Sequence, residues 1–162
     1  MGGIPEFDHA VFVDESVFPA SLRYSSTFNV AVPFIDRHVR EGRGGRVALY
    51  HPHGQVTYAE LADNVSRAGN ALRKLGLAPG ARLMMAAVDD PLFFYVFWGA
   101  IKAGIVPIAA STFLKNADYR FLAADSGCSA FVYSLNLAKE AADLEGCSPE
   151  LRVVLPIDGA NS

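Results

Sequence analysis

Cysteine is scarce in this chain, and blocks of one charge are missing. Two cysteines, Cys128 and Cys147, stand among 162 residues. Two thiols make no disulfide scaffold, and their spacing fits no zinc pattern. They are read as reduced and structural, which suits a reducing cytoplasm. Fourteen basic and seventeen acidic residues give a net charge of −3. With no lysine–arginine block, the chain is not expected to bind nucleic acid. The opening MGGIPEFDHAVFVDESVF has no basic start and carries acids throughout, so it is not read as a signal peptide. Its first seven residues, MGGIPEF, are a candidate cloning scar and are set aside from fold reasoning. Phosphate-loop signatures are lacking too. GRGG at 42–45 has no lysine–serine ending, and no G-x-G-x-x-G follows a strand. The longest apolar run, 91–114, is interrupted by Lys102 and divided by Gly104 and Pro107. It reads as a buried helix followed by a buried strand, so no membrane span is expected.

What the chain does have is regular alternation. Residues 8–45 show little periodicity until Val32, Ile35 and Val39 recur at helical spacing before Gly42. That predicts a helix of two or three turns with a basic C-terminal half, which suits its dipole. VALYHPHGQVTY then predicts two short strands joined by a turn at Pro52–Gly54. Thr57 with Glu60 three residues on forms a capping-box signature. Leu61, Val65, Ala68, Leu72 and Leu75 follow as one apolar stripe, and Gly76 sits where a left-handed cap is needed. ARLMMAAV (81–88) predicts a buried strand. Asp90 and Pro91 open a helix running to Ala103. IVPIAA (105–110) predicts a strand, 117–127 a helix, CSAFVYS (128–134) a strand, 135–146 a helix and 151–158 a last strand. Strands this apolar are covered on both faces. The fold class predicted is α/β: a mostly parallel sheet with helices on both faces.

Few residues stand out as chemical candidates. His51 and His53 form an H-x-H pair, but proline and glycine around them predict a solvated turn instead of a metal site. His9 and His38 are isolated, and a surface position is expected for both. Asp89 and Asp90 lie at a strand's C-terminal end, where α/β proteins place ligand sites. Asp90 is expected to cap the next helix and Asp89 to satisfy loop backbone. Ser111 and Thr112 also follow a strand, with no neighbouring histidine to activate them. Phe93, Phe94, Tyr95, Phe97 and Trp98 crowd one helix, which predicts deep burial or an interface in preference to a stacking site.

VTYAELADNVSRAGNALRKLGLAPGARLMM resembles the N-terminal part of the acyl-adenylate-forming enzymes, and FWGAIKAGIVPI is similar to that family's second helix and following strand. The finer resemblance is to benzoate-type aryl-CoA ligases. They share an FN-x-A opening, an aspartate at the place of Asp89, where most relatives carry asparagine, and an alanine–aspartate–tyrosine triplet like Ala117–Tyr119. The resemblance covers roughly residues 28–158 and implies the N-terminal α/β subdomain of the adenylate-forming fold, with 1–27 as an extension. It implies a reaction in which ATP and an aromatic carboxylic acid, of benzoate or aminobenzoate type, give an acyl-adenylate that coenzyme A then converts to a thioester. ATP, Mg2+ and coenzyme A are cofactors of the full-length enzyme, and none is expected to bind tightly to this chain. The family's phosphate loop, adenine-binding segment, hinge aspartate and C-terminal lysine are not in these 162 residues. No catalytic residue is therefore assigned, and the chain alone is expected to be inactive. By the same resemblance Ser111 and Thr112, in the Ser111–Lys115 loop, lie beside the pantetheine arm, and Lys139 meets the coenzyme A phosphates. Ser111 stands where asparagine is common in benzoate-type ligases. The partners implied are the rest of the same polypeptide and a homodimer, in the cytoplasm. The competing readings are a self-contained α/β nucleotide-binding module and an interaction domain that docks through its aromatic helix.

Overall fold

Residues 9–157 are described by a computed structural model; the candidate scar at 1–7 and the last residue of the strand expected at 151–158 lie outside them. The centre is a four-stranded sheet of β5 (Arg82–Ala86), β6 (Val106–Ala109), β7 (Ala130–Ser134) and β8 (Val153–Ile157) in the order β6-β5-β7-β8. Every neighbouring pair is parallel. The chain winds outward from β5 in both directions, so β5 and β7 meet where the strand order reverses.

The pleat of β5 divides the core. Leu83 and Met85 face one side with Ala130 and Val132, against Val96 and Ala100 of α3 (Pro91–Lys102) and Leu72 of α2 (Tyr58–Lys74). Met84 and Ala86 face the other side with Phe131, against Tyr119 and Ala123 of α4 (Asn116–Ser126). Helices thus cover both faces, as the apolar strands require.

α2 begins as its sequence dictates. The Thr57 hydroxyl accepts from the Glu60 N–H at 3.3 Å, and the Glu60 carboxylate accepts from the Thr57 N–H at 2.8 Å. Its stripe differs from the expected one in two places. Gly69, not Ala68, is fully buried, and Leu75 is exposed. The cause is the crossing with α3: a methyl on Gly69 would lie 2.8 Å from the Gly99 carbonyl oxygen, so both helices need glycine at the contact.

The helix expected over 135–146 does not form. A single 3-10 turn, Leu135–Leu137, gives way to irregular turns. Side chains of the α4 strap hold this segment open. Asn116 Nδ2 donates to the carbonyls of Glu140 (3.0 Å) and Ala142 (2.8 Å), and Arg120 donates to that of Asp143 (2.6 Å). Leu137, Ala141, Leu144 and Leu151 are still buried on the α4 side of the sheet.

Before the sheet lie two antiparallel hairpins. β3 (Val47–His51) and β4 (Gly54–Thr57) form the one expected. β1 (Val11–Asp14) and β2 (Ser21–Tyr24) form another, in a stretch where no strand was legible. The segment between them is a π-helical turn, Val32–Asp36, running into α1 (Arg37–Arg40). Asn29 ties it to α3, its amide donating to the Ile101 carbonyl at 2.8 Å.

Candidate functional site

Parallel strands deliver all their C-terminal ends to one edge, and the loops there are free to carry chemistry. Beyond β5 and β6 this edge holds a groove of about 340 Å³ lined by Val88, Asp89, Phe93, Ala110, Ser111 and Thr112 among others. The loop after β5 is held by a latch across the switch point. The Val88 N–H donates to the buried Ser134 hydroxyl at 3.0 Å, which joins the first residues beyond β5 to the end of β7. The Ala110 N–H donates to Met85 O at 2.8 Å and extends the ladder into the β6 loop.

Asp90 caps α3 as expected, accepting from the N–H groups of Leu92 (2.8 Å) and Phe93 (3.1 Å). Asp89 departs from its expected role. Its carboxylate accepts no hydrogen bond among the described residues and is exposed at the groove wall, because Asp90 alone satisfies the helix start. Ser111 and Thr112 line the same groove. The Ser111 hydroxyl accepts from the Phe113 N–H at 3.2 Å, and the Ser111 carbonyl accepts from the Tyr119 hydroxyl at 2.9 Å. Tyr119 is completely buried, and burial raises its phenol above the usual range, so it remains a donor.

Lys139 is exposed in the irregular turns after β7, outside the residues lining this groove. Ser111 and Thr112 are therefore brought together, and Lys139 stands apart from them. Phe93 and Val88 were missed as groove residues. Their signal is position, immediately past a buried strand and at the start of the next helix, but a strand order of this kind cannot be read from one sequence.

His51 and His53 sit at the β3–β4 turn with ring centroids 6.2 Å apart, in edge contact. His9 accepts from the Asn29 N–H at 2.9 Å. His38 stacks on Tyr58 at 4.0 Å and accepts from Arg43 Nε at 3.1 Å. Desolvation, then the charges of Arg43 and Arg37, push its imidazole below the usual range. Both isolated histidines are half-buried, not on the open surface as expected. Cys128 is buried and Cys147 half-buried; both are free, and desolvation raises the Cys128 thiol. Among the described residues no three histidine, cysteine, aspartate or glutamate side chains cluster as a metal site would require. No helix there is long and apolar enough to cross a membrane. The aromatic residues of α3 are half-buried. Phe93 and Phe97 pack toward the sheet, and Phe94, Tyr95 and Trp98 toward the layer of Ile35, Val56 and Leu61.

Residues 35–161 match the model of the AMP-binding enzyme family. The chain belongs to that family. It is 39% identical over 137 residues to a 4-hydroxybenzoate–CoA/benzoate–CoA ligase of Rhodopseudomonas palustris, covering 82% of this chain and 25% of that protein. It is 37% identical over 148 residues to a benzoate–CoA ligase of Thauera aromatica, covering 91% of this chain and 28% of that one. Among solved structures, a benzoate CoA ligase from Burkholderia xenovorans superposes with a TM-score of 0.70 at 30% identity, over 79% of this chain and 26% of that one. An anthranilate CoA ligase shares the fold, with a TM-score of 0.73 at 23% identity, over 78% and 24% of the two chains. The chain thus spans about a quarter of the length of the curated relatives it matches.

Proposed function

We propose that this chain is the N-terminal part of an ATP-dependent, AMP-forming aryl-CoA ligase acting on a benzoate- or aminobenzoate-type acid. The observation that carries the reading is the match to two benzoate-type CoA ligases at 37% and 39% identity over most of this chain. In this reading residues 28–158 are the α/β subdomain and 1–27 an extension. The acid is activated as its acyl-adenylate with release of pyrophosphate, and the coenzyme A thiol then displaces AMP. The longer protein works in the cytoplasm, as a homodimer.

This chain supplies scaffold and one wall. Phe93 and Val88 offer apolar surface, and Ser111 and Thr112 offer hydroxyls, a mix that suits the alkyl and amide groups of a pantetheine arm. Lys139 is assigned to the coenzyme A phosphates. Mg2+ is assigned to the full-length ligase, and no step is drawn through it. The 162 residues alone are expected neither to adenylate nor to thioesterify.

The test is to read the source gene's coding sequence past the last native codon, express the longer protein, and assay pyrophosphate release with benzoate, ATP and coenzyme A. Acid-dependent release and benzoyl-CoA formation by the longer protein, with none from the short chain, are the expected results. A longer protein that forms no thioester with any benzoate or aminobenzoate would overturn the substrate. Turnover by the short chain would overturn the division of labour.

A further inference from the structure

One helix holds both of the segments assigned above to coenzyme A. From α4, the Tyr119 hydroxyl donates to the Ser111 carbonyl at 2.9 Å and so fixes the loop that carries Ser111 and Thr112. Asn116 begins the same helix, about 4.5 Å back along its axis. Both hydrogens of its side-chain amide are used, on the Glu140 carbonyl at 3.0 Å and the Ala142 carbonyl at 2.8 Å. Lys139 directly precedes this clamped turn, and its own carbonyl accepts from the Ala142 N–H at 3.4 Å. Burial of Leu137, Ala141 and Leu144 sets how deep the segment sits. That force has no direction, so it does not orient the turn over 139–142. The Asn116 bonds do, because hydrogen bonds weaken steeply off line. Ala142 is exposed, where water can serve a carbonyl, so what the amide adds there is placement. The ion pair of Lys115 with Glu140, 3.5 Å long and exposed on the lysine side, adds little.

We infer that Asn116 is a positioning residue for coenzyme A: by clamping the turn after Lys139 to α4, it sets where the lysine stands relative to the Ser111–Thr112 groove. The inference rests on the reading of the chain as the front of an aryl-CoA ligase. Coenzyme A is one long molecule, with its thiol at the tip of the pantetheine arm and its phosphates at the other end. Gripping both ends helps only when the two grips are held at a matching spacing. Lys139 lies outside the groove, on a segment with no regular structure of its own. On a loose turn, a lysine gives up part of its charge-assisted bond to the cost of ordering it. Tyr119 and Asn116 belong to one helix, so the groove loop and the lysine-bearing turn are held by the same rigid body. Asn116 does not line the groove, so its effect reaches coenzyme A through Lys139.

The test is a double-mutant cycle in the longer ligase, with Asn116→Ala, Lys139→Ala and the pair, read as KM for coenzyme A, KM for ATP and kcat. Asn116→Ala is expected to raise KM for coenzyme A about three- to tenfold and to change the other two less than about twofold. Lys139→Ala should raise the same KM at least as much. With Lys139 already replaced, Asn116→Ala should add less than about twofold, since the two act as one unit. Asn64→Ala, which removes an amide bond to the Glu60 carbonyl on α2, should leave KM for coenzyme A unchanged. Should Asn116→Ala not fold, Asn116→Ser keeps one donor and must show the same pattern at about two- to threefold. An unmoved KM for coenzyme A, a fall in kcat without it, or the same rise with and without Lys139 would overturn the positioning role. A ligase that forms aryl-CoA with a KM for coenzyme A indifferent to Lys139→Ala refutes the Lys139 assignment and the positioning role, and leaves the ligase reading standing. A longer protein that forms no aryl-CoA removes the ligase reading and this inference together.

Discussion

Gly69 and Gly99 touch backbone to backbone where α2 crosses α3. A methyl group on Gly99 would lie 2.8 Å from the Ala68 Cβ, 2.8 Å from the Gly69 nitrogen and 2.9 Å from the Val65 carbonyl oxygen. None of these atoms is the end of a flexible side chain. Gly99→Ala is therefore expected to destabilise the chain by about 1–3 kcal/mol, despite the better helix propensity of alanine. Urea unfolding followed by circular dichroism measures it, and an unchanged or raised midpoint would show that the helices part at no cost.

The start of α2 gives a pH-dependent expectation. Hydrogen bonds from the Thr57 backbone and hydroxyl hold the Glu60 carboxyl below the usual glutamate range. A group with a depressed folded pKa stabilises above its unfolded pKa, and loses that contribution as pH falls through the folded value. Wild type should therefore lose stability relative to Glu60→Gln as pH drops below about 4.3. Parallel pH profiles for the two proteins would refute the coupling. Thr57→Ala should cost about 1 kcal/mol at neutral pH, read from the same unfolding curves.

Asn29 joins the N-terminal segment to α3 through the Ile101 carbonyl, and its own side-chain oxygen accepts from the Ala31 N–H at 3.0 Å. Asn29→Ala removes both bonds and should cost about 1–2 kcal/mol. The effect should be local. Amide exchange should quicken through residues 9–28 while β5 and β7 keep their protection. Uniform acceleration over the whole chain would mean that Asn29 supports the global fold instead.

Tyr119 reaches from α4 to the loop after β6. Tyr119→Phe keeps the ring packed on Phe131, 5.3 Å between centroids, and deletes only the bond to Ser111 O. A loss of about 1 kcal/mol is expected. Exchange at residues 111–115 should rise with it, because that loop loses its buried anchor. Unaltered exchange there would show that the Ser111–Phe113 turn holds itself.

Much of this architecture was legible because local signals agreed with one another. Thr57, Glu60 and Gly76 mark both ends of α2, and Asp90 with Pro91 marks the start of α3. The alternation of buried strand and helix from residue 82 onward announces a parallel sheet. The failures are tertiary in origin. Leu137, Ala141 and Leu144 recur at helical spacing, yet Asn116 and Arg120 claim the carbonyls a helix would use, and Asp143 takes a left-handed conformation at φ 55°. β1 and β2 escaped notice because Phe12 interrupts their alternation and their apolar face meets no core of this chain. The groove was half visible. Ser111 and Thr112 were marked by their place after a strand, but their meeting with Asp89 and Phe93 depends on β5 lying beside β6.

The parallel sheet has a consequence for how such a protein can change over generations. Leu83, Met84 and Met85 carry the core in the middle of β5, and the loops that line the groove begin only where the strand ends. At the opposite rim, Arg82 is tied to the Ser126 carbonyl at 2.7 Å, about 16 Å away along a five-residue strand. Replacements at residues 87–89 or 111–115 therefore leave the returns at the far rim undisturbed. A lineage can reshape the groove while the rest of the fold is inherited intact.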